Sequence, residues 1–273
     1  MSDFWTYEFL RHALLSALLL GPTCGFLGVF ITLRGMAFFS DAIAHAALTG
    51  VALGVVVQEL VSPAIPLMGV VLLFSLALAA AMSHFFEKTT LRPDTIIAFS
   101  FTGSVALGVL VLSKMGKYRL LDGLLFGDIY ATTTVDLWAQ LGLAVFVALF
   151  FGWNLKTYVL CLVQPDLARV EGVKLERLHR LFALLIAAIV TVCIKMLGAL
   201  LLSGLIVIPP AAAKLVARNF RQMIGLSVGF GLLAAAGGTV LSNAFNLPAG
   251  PTIVLANLAL LLGCYGVARL RVS

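Results

Sequence analysis

The sequence predicts an all-α fold, a polytopic transmembrane helical bundle of eight or nine spans with one short cytoplasmic helix. Of the 273 residues, 62% are hydrophobic and only 11% are charged, and the mean hydropathy is +1.10. Soluble domains carry about 25% charged residues, so this chain has too few polar side chains to cover a water-soluble surface. Apolar runs of about 20 residues, the length that crosses a bilayer, follow one another with short connections. The chain is therefore expected to lie in a membrane.

The apolar runs, bounded by charged residues or by Gly and Pro, predict nine candidate spans. They lie near residues 9–33, 37–57, 63–84, 95–113, 134–155, 179–196, 198–217, 223–243 and 251–269. The run from Leu181 to Ala213 is too long for one span, so it is predicted to form two short spans joined by a tight turn near Lys195–Gly198. Residues 1–273 are predicted to form a single transmembrane domain, because little chain is left for a soluble one.

The 18 basic residues are dispersed at the ends of the apolar runs, which is typical of membrane topology and not of a nucleic-acid surface. With the loop 164–180 placed in the cytoplasm, alternation of the spans puts thirteen of them inside and five outside. The five are Arg11, Lys114, Lys117, Arg119 and Lys195. The positive-inside rule favours this orientation, and no nucleic-acid partner is expected.

Asp41 and His45 are an ionisable pair within a predicted span. Their spacing of four residues places both side chains on one face of a helix. An ionisable group in a membrane segment costs about 2.5–3.5 kcal/mol, which favours a functional site over a hydrogen bond that only holds two helices together. A carboxylate oxygen and an imidazole nitrogen suit Zn²⁺ or Mn²⁺. Two ligands do not close a metal site, which suits an ion that must leave or a site completed by other helices.

Residues 164–177, which read QPDLARVEGVKLER, are the most charged stretch of the chain. Asp166 is of a type that caps helix N-termini, and Gly172 lies near the middle of the stretch. Because this loop is longer than the other predicted cytoplasmic connections, a short helix that docks a partner is favoured over an ordinary solvated loop.

A third segment, residues 198–213, is rich in small residues and contains a double proline. Pro209 and Pro210 each remove a backbone donor, so a broken helix is predicted there, with protein or a water-lined cavity satisfying the freed carbonyls. Broken helices are frequent along transport pathways. From these residues alone, a packing kink is an equally good interpretation.

Two outer turns are punctuated by Gly and Pro, LFGD at 125–128 and NLPAGPT at 246–252. Asp122 and Asp128 are candidates to face an entry route or a docked protein. For Asp128, capping of a helix is the favoured interpretation.

The sequence lacks the motifs of a subunit that hydrolyses ATP or catalyses a reaction. It contains no GxxxxGK[ST] phosphate-binding loop and no HExxH motif. A transport subunit that receives its energy from another chain is therefore favoured, and an enzyme is not expected.

Five ordered segments resemble the membrane permease of the metal-uptake ATP-binding-cassette (ABC-3) family, and within it most resemble the bacterial high-affinity zinc permeases. They are Arg34–Gly50 with Asp41-x-x-x-His45, LFGD at 125–128, PDLARVEGVKLERL at 165–178, GALLLSGLIVIPPAAAKL at 198–215 and LPAGPTIVL at 247–255. Together these segments extend the resemblance over nearly the whole chain.

The resemblance implies an importer with two permease copies, two separate ATPase subunits and an extracytoplasmic metal-binding protein, embedded in membrane lipid. It implies that Asp41 and His45 lie on the metal pathway. It also implies that Asp166, Ala168 and Gly172 couple the permease to the ATPase. Transport would proceed by alternating access with Zn²⁺ as the cargo, with no permanently bound cofactor and no catalytic residue in this chain.

Alternatives to zinc import remain open from the residues. Mn²⁺ or Fe²⁺ suits an Asp/His pair as well, because selectivity among these ions comes from geometry. An ATP-independent channel or carrier would be expected to hold more intramembrane carboxylates than Asp41. An intramembrane metalloenzyme would be expected to carry HExxH, which is absent.

Overall fold

The computed structural model describes residues 7–117 and 127–272, in which it places nine α-helices and one 3₁₀ helix. The α-helices are α1 (Glu8–Leu33), α2 (Ala37–Leu60), α3 (Leu67–Lys88), α4 (Pro93–Lys114), α5 (Thr134–Val163), α6 (Pro165–Val170), α7 (Leu175–Val216), α8 (Phe220–Phe245) and α9 (Ala249–Val272). The 3₁₀ helix is Ile129–Ala131. Asp122, and Leu125 and Phe126 of the LFGD turn, lie outside the described residues.

Eight helical segments in these ranges are long and apolar enough to cross a membrane. They confirm the predicted all-α membrane bundle. The ninth predicted span corresponds to a shorter apolar segment, Leu201–Val216, which is the second part of α7. The six-residue α6 is the short helix predicted within residues 164–177.

Helix α7 is kinked at Gly198, whose backbone has φ 70° and ψ 164°. This region of φ and ψ is essentially reserved for glycine, so the kink falls at the last residue of the predicted turn Lys195–Gly198. The prediction of a break at Pro209 and Pro210 is wrong, because both prolines lie inside the helix beyond the kink. A neighbouring helix packs against one of the two carbonyls that the prolines leave without a helical partner.

That neighbour is α1, which approaches α7 at Gly28. A Cβ built on Gly28 would lie only 1.9 Å from the carbonyl oxygen of Ile206. Ile206 precedes Pro210 by four residues, so its carbonyl lacks the helical N–H that residue 210 would otherwise supply. The Cα–H of Gly28 faces this carbonyl, as in the weak Cα–H···O contacts of closely packed helices. The contact helps the helix to continue through the double proline.

Glycines also bring α1 against α8. A Cβ on Gly21 would lie 2.5 Å from the carbonyl oxygen of Gly231, and a Cβ on Gly231 would lie 2.3 Å from that of Gly21. One turn further along α1, the hydroxyl of Ser227 donates to the carbonyl oxygen of Gly25 at 2.6 Å. Small residues and side-chain hydroxyls are the usual means by which helices associate in lipid. The register of α1 on α8 is therefore fixed by shape and by one hydrogen bond.

The chain divides into two compact units. The first contains the described residues of Met1–Ala37, Phe126–Val145 and Lys195–Ser273, and the second those of Phe38–Leu125 and Phe146–Ile194. In the second unit, the Tyr158 hydroxyl donates to the carbonyl oxygen of Leu178 at 3.1 Å, and Arg180 pairs with Glu87 at 2.9 Å. These two contacts join the end of α5 and the end of α3 to the start of α7. They hold both ends of the connection that carries α6.

Candidate metal pathway and coupling segment

Asp41 and His45 lie together on α2, as their spacing predicts. Nδ1 of His45 is 3.0 Å from the carbonyl oxygen of Asp41 and 3.2 Å from its Oδ1. Because both of these atoms are acceptors, Nδ1 carries a hydrogen and donates it. In the neutral imidazole, Nε2 then holds the lone pair that binds a metal. The side chains are partly exposed, 21% for His45 and 31% for Asp41.

A pocket of about 300 Å³ opens beside this pair, between α2 and α4. Asp41 and Phe38 line it from α2, and Asp94 and Phe101 line it from α4. The ring of Phe101 also packs edge-on against the His45 ring, with 5.1 Å between centroids. The pocket is therefore lined by two carboxylates from different helices and by the aromatic rings of Phe38 and Phe101.

Asp94 is a residue that the sequence did not single out. It lies in the first turn of α4 directly after Pro93, and an acidic residue there is explained by the helix dipole alone. Only the approach of α4 to α2 shows that it shares a pocket with Asp41. Within residues 7–117 and 127–272, no group of three or more His, Cys, Asp or Glu side chains is close enough together to hold a metal ion.

The short helix α6 ends in a turn that requires glycine. Gly172 has φ 78°, and its N–H donates to the carbonyl of Arg169, while the N–H of Val173 donates to that of Ala168, both at 3.0 Å. This is the Schellman arrangement, in which a glycine in the left-handed region ends a helix. The sequence position of Gly172 is thus explained by backbone geometry.

The residues for which the resemblance implied coupling to an ATPase lie in different surroundings on and beside α6. Ala168 is completely buried. Asp166 is exposed and pairs with Arg169 at 3.5 Å. Val170 is 84% exposed and Leu167 is 44% exposed. The sequence analysis did not single out these two apolar side chains, because their exposure depends on which face of α6 meets the bundle.

Asp128 and Asp136 have capping roles near the start of α5. Oδ1 of Asp128 accepts from the Tyr130 N–H at 2.9 Å, which confirms the predicted cap. Oδ2 of Asp136 accepts from the N–H of Thr133 at 3.0 Å, and the Thr133 hydroxyl oxygen accepts from the Asp136 N–H at 3.3 Å. This reciprocal pair is a capping box. Lys195, beside the kink of α7, approaches the same Asp136 oxygen at 3.4 Å.

The model of the ABC 3 transport family matches residues 6–267. The chain belongs to this family. It is thus a membrane permease of an ATP-binding-cassette metal importer, as the five sequence segments predicted, and it is a transport subunit and not an enzyme. The eight apolar helices in the described part of the chain, together with the family match, make it a multi-pass protein of the bacterial inner membrane.

Relatives of this ABC 3 permease are named for two different metals. The manganese import system permease protein ScaB of Streptococcus gordonii is 30% identical over 96% of this chain and 92% of its own length. The high-affinity zinc uptake system membrane protein ZnuB of Haemophilus influenzae is 32% identical over 92% of this chain and 94% of its own. The metal of this permease therefore does not follow from family membership.

A solved structure has the same fold. PsaBC from Streptococcus pneumoniae, in complex with Fab, aligns with a TM-score of 0.83 and 27% identity, covering 97% of this chain and 93% of the matched chain. The aligned part of this chain therefore shares the fold of that solved structure.

Proposed function

We propose that this permease carries Zn²⁺ into the cytoplasm by ATP-driven alternating access, along a path that passes Asp41 and His45. The main support for this proposal is the pair of contacts from His45 Nδ1 to the carbonyl oxygen and Oδ1 of Asp41, at 3.0 and 3.2 Å. Metal-binding histidines commonly donate their second ring nitrogen to a carboxylate or a carbonyl, which fixes the tautomer and the ring orientation. His45 is held in that manner before any ion arrives.

The open character of the site suits transport. Closed zinc sites take four protein ligands, whereas Asp41 and His45 supply two at most. The remaining positions are left for water or for groups of a second permease copy. An ion that crosses a membrane must be bound tightly enough to enter and weakly enough to leave. Partial coordination next to a pocket meets both conditions.

The proposed assembly is a permease homodimer with two ATPase subunits and an extracytoplasmic metal-binding protein. The exposed Val170 and Leu167 on α6 support a docking role for this segment, because apolar side chains at a membrane-adjacent surface gain from being covered. The contacts of Tyr158 and Arg180 at the start of α7 would transmit a movement of α6 to the spans. Closure of the ATPases would in this way open the pathway to the cytoplasm.

Mn²⁺ is the second candidate cargo, and Asp94 is the observation that favours it. Asp41 and Asp94 line one pocket, and carboxylate oxygens suit Mn²⁺, whereas imidazole nitrogen suits Zn²⁺. ScaB, one of the relatives, is named for manganese import. Transport of Zn²⁺ would depend more on the His45 imidazole, and transport of Mn²⁺ would depend more on the Asp94 carboxylate.

Competitive uptake distinguishes the two ions. The permease would be reconstituted into liposomes with its ATPase and its binding protein, and uptake of radioactive Zn²⁺ measured with excess Mn²⁺ present. We expect Zn²⁺ uptake to persist, and we expect His45→Asp to shift the preference toward Mn²⁺. His84→Asp is the matched control, because His84 is an exposed histidine at the far end of α3. Faster transport of Mn²⁺ than of Zn²⁺ by the unmodified permease would refute the choice of zinc.

A further inference from the structure

Helices α8 and α9 leave an apolar groove of about 390 Å³ between them. Its walls include Leu226 and Phe230 from α8 and Leu260 and Val267 from α9. Gly263 also lines it, and no heavy atom lies within 4 Å of the position that a Cβ on Gly263 would occupy. The absence of a side chain at residue 263 therefore keeps the groove open.

One end of the groove lies beside a group of cations. Gln222 and Val267 line the groove, next to Arg221 at the start of α8 and near Arg269 at the end of α9. Arg218 precedes α8, and Gln222 accepts a hydrogen bond from its backbone N–H at 2.8 Å. Both Arg218 and Arg221 are exposed. One end of the apolar groove therefore lies near arginine residues.

These cations have no acidic residue nearby in the sequence. From Arg177 to Ser273 the chain contains no Asp or Glu. Within the part of the chain that the structure describes, Arg218 and Arg221 have no carboxylate within ion-pair distance. These two exposed arginines are therefore available to an anion from outside the chain.

We propose that the groove binds an acyl chain of an anionic phospholipid, with the lipid phosphate held by Arg218 and Arg221. Basic residues at the end of an apolar cleft between membrane helices are the usual recognition pattern for anionic headgroups. The positive-inside orientation places these arginines at the cytoplasmic leaflet. A second copy of this chain would bring another acid-free basic segment to the same face, whereas a phospholipid brings the missing negative charge. The site is independent of Asp41 and His45.

Photo-crosslinking tests the site in the assembled importer. The complex would be reconstituted in phosphatidylcholine vesicles that contain phosphatidylglycerol with a photoreactive acyl chain, and the labelled peptides mapped. We expect label on the segment 260–267. Gly263→Leu fills the groove and should abolish that label. Gly266→Leu should retain it, because Gly266 also has open space at its Cβ position but does not line the groove.

The headgroup contact is tested by the double variant Arg218→Gln/Arg221→Gln. Each cation near an anionic lipid headgroup contributes about 1 kcal/mol, and 1.4 kcal/mol corresponds to tenfold, so the half-saturating phosphatidylglycerol content should rise by roughly thirtyfold. Retained ATPase activity shows that the variant is folded. Unlabelled phosphatidylglycerol should compete with the label, and phosphatidylcholine should not.

Three outcomes would overturn the proposal. Equal labelling in Gly263→Leu and Gly266→Leu would show that the label does not come from the groove. Equal competition by phosphatidylcholine and phosphatidylglycerol would show ordinary lipid contact without headgroup recognition. Cys264 also lines the groove, so a Cys264–Cys264 disulfide between copies in oxidised membranes would show that a second permease occupies it.

Discussion

The Cα of Gly28 on α1 packs directly against the carbonyl oxygen of Ile206 on α7, with no room for a side chain between them. A Cβ on Gly28 would lie 1.9 Å from that oxygen. Ile206 is the residue whose helical hydrogen bond is lost at Pro210. The glycine and the proline are 182 positions apart in the chain. Pro210 leaves the Ile206 carbonyl without its helical partner, and Gly28 lets α1 approach that carbonyl closely.

Gly28→Ala is expected to destabilise the permease, because the new methyl group would overlap the Ile206 carbonyl. Overpacking of this kind costs about 1–3 kcal/mol. Gly237→Ala on α8 is the matched control, since nothing lies within 4 Å of its Cβ position and alanine favours a helix interior by about 1 kcal/mol. Thermal unfolding of the purified proteins should show opposite shifts. Equal melting temperatures would exclude a close contact at Gly28.

Gly198→Ala is expected to disturb the kink of α7, because φ 70° and ψ 164° are strained for any residue with a Cβ. The cost is about 1–3 kcal/mol. Pro209→Ala should be tolerated, because helical geometry already continues through residue 209. Unfolding in detergent compares the two variants. A larger loss of stability in Pro209→Ala than in Gly198→Ala would place the break at the prolines after all.

The spans were predictable from sequence because lipid imposes a length and a composition on every crossing segment. The turn near Lys195–Gly198 was predictable as well, because the apolar run around it is too long for one span, and the kink of α7 falls at Gly198. The continuation of the helix through Pro209 and Pro210 was not predictable. Local rules favour a break at the two prolines, and the residue that packs against the freed carbonyl of Ile206 is Gly28, far away in sequence. A backbone contact between residues far apart in the chain leaves no pattern in the local sequence around either residue.

Val170→Glu is expected to release the ATPase from the permease without unfolding either protein. Val170 is 84% exposed on α6, so a charge at this position should not lower the stability of the isolated permease. In a buried interface the same charge would be unfavourable for binding. Co-purification with a tagged ATPase measures the loss. Val61→Glu, at a valine that is 72% exposed and lies outside residues 164–177, serves as the control and should retain the ATPase. Full retention in Val170→Glu would exclude this face of α6 from the contact.

The candidate site was only partly predictable, for a reason that Ala168 and Asp94 illustrate. Spacing alone brought Asp41 and His45 together, because both lie on one helix. The burial of Ala168 and the entry of Asp94 into the pocket depend on how α6 and α4 meet their neighbours. Sequence periodicity predicts faces of helices, but not which face meets which partner.

Asp136→Ala is expected to destabilise the start of α5 by about 0.5–2 kcal/mol, the usual cost of losing a helix cap. Most of the loss should come from the capping box with Thr133. Lys195→Met should cost less, because the Lys195 side chain is 47% exposed and exposed ion pairs contribute little. Chemical unfolding of the two single variants shows which substitution lowers the free energy of unfolding more. A greater loss in Lys195→Met would make the ion pair, and not the cap, the main role of Asp136.

Metal uptake by the double variant Asp41→Ala/His45→Ala tests the central claim most directly. The measurement is ATP-dependent uptake of radioactive Zn²⁺ into proteoliposomes that contain the complete importer, with ATPase co-purification as the control for assembly. The account predicts background uptake by an assembled complex, because both proposed ligands on α2 are removed. Uptake at the rate of the unmodified permease would contradict it and would remove Asp41 and His45 from the metal pathway.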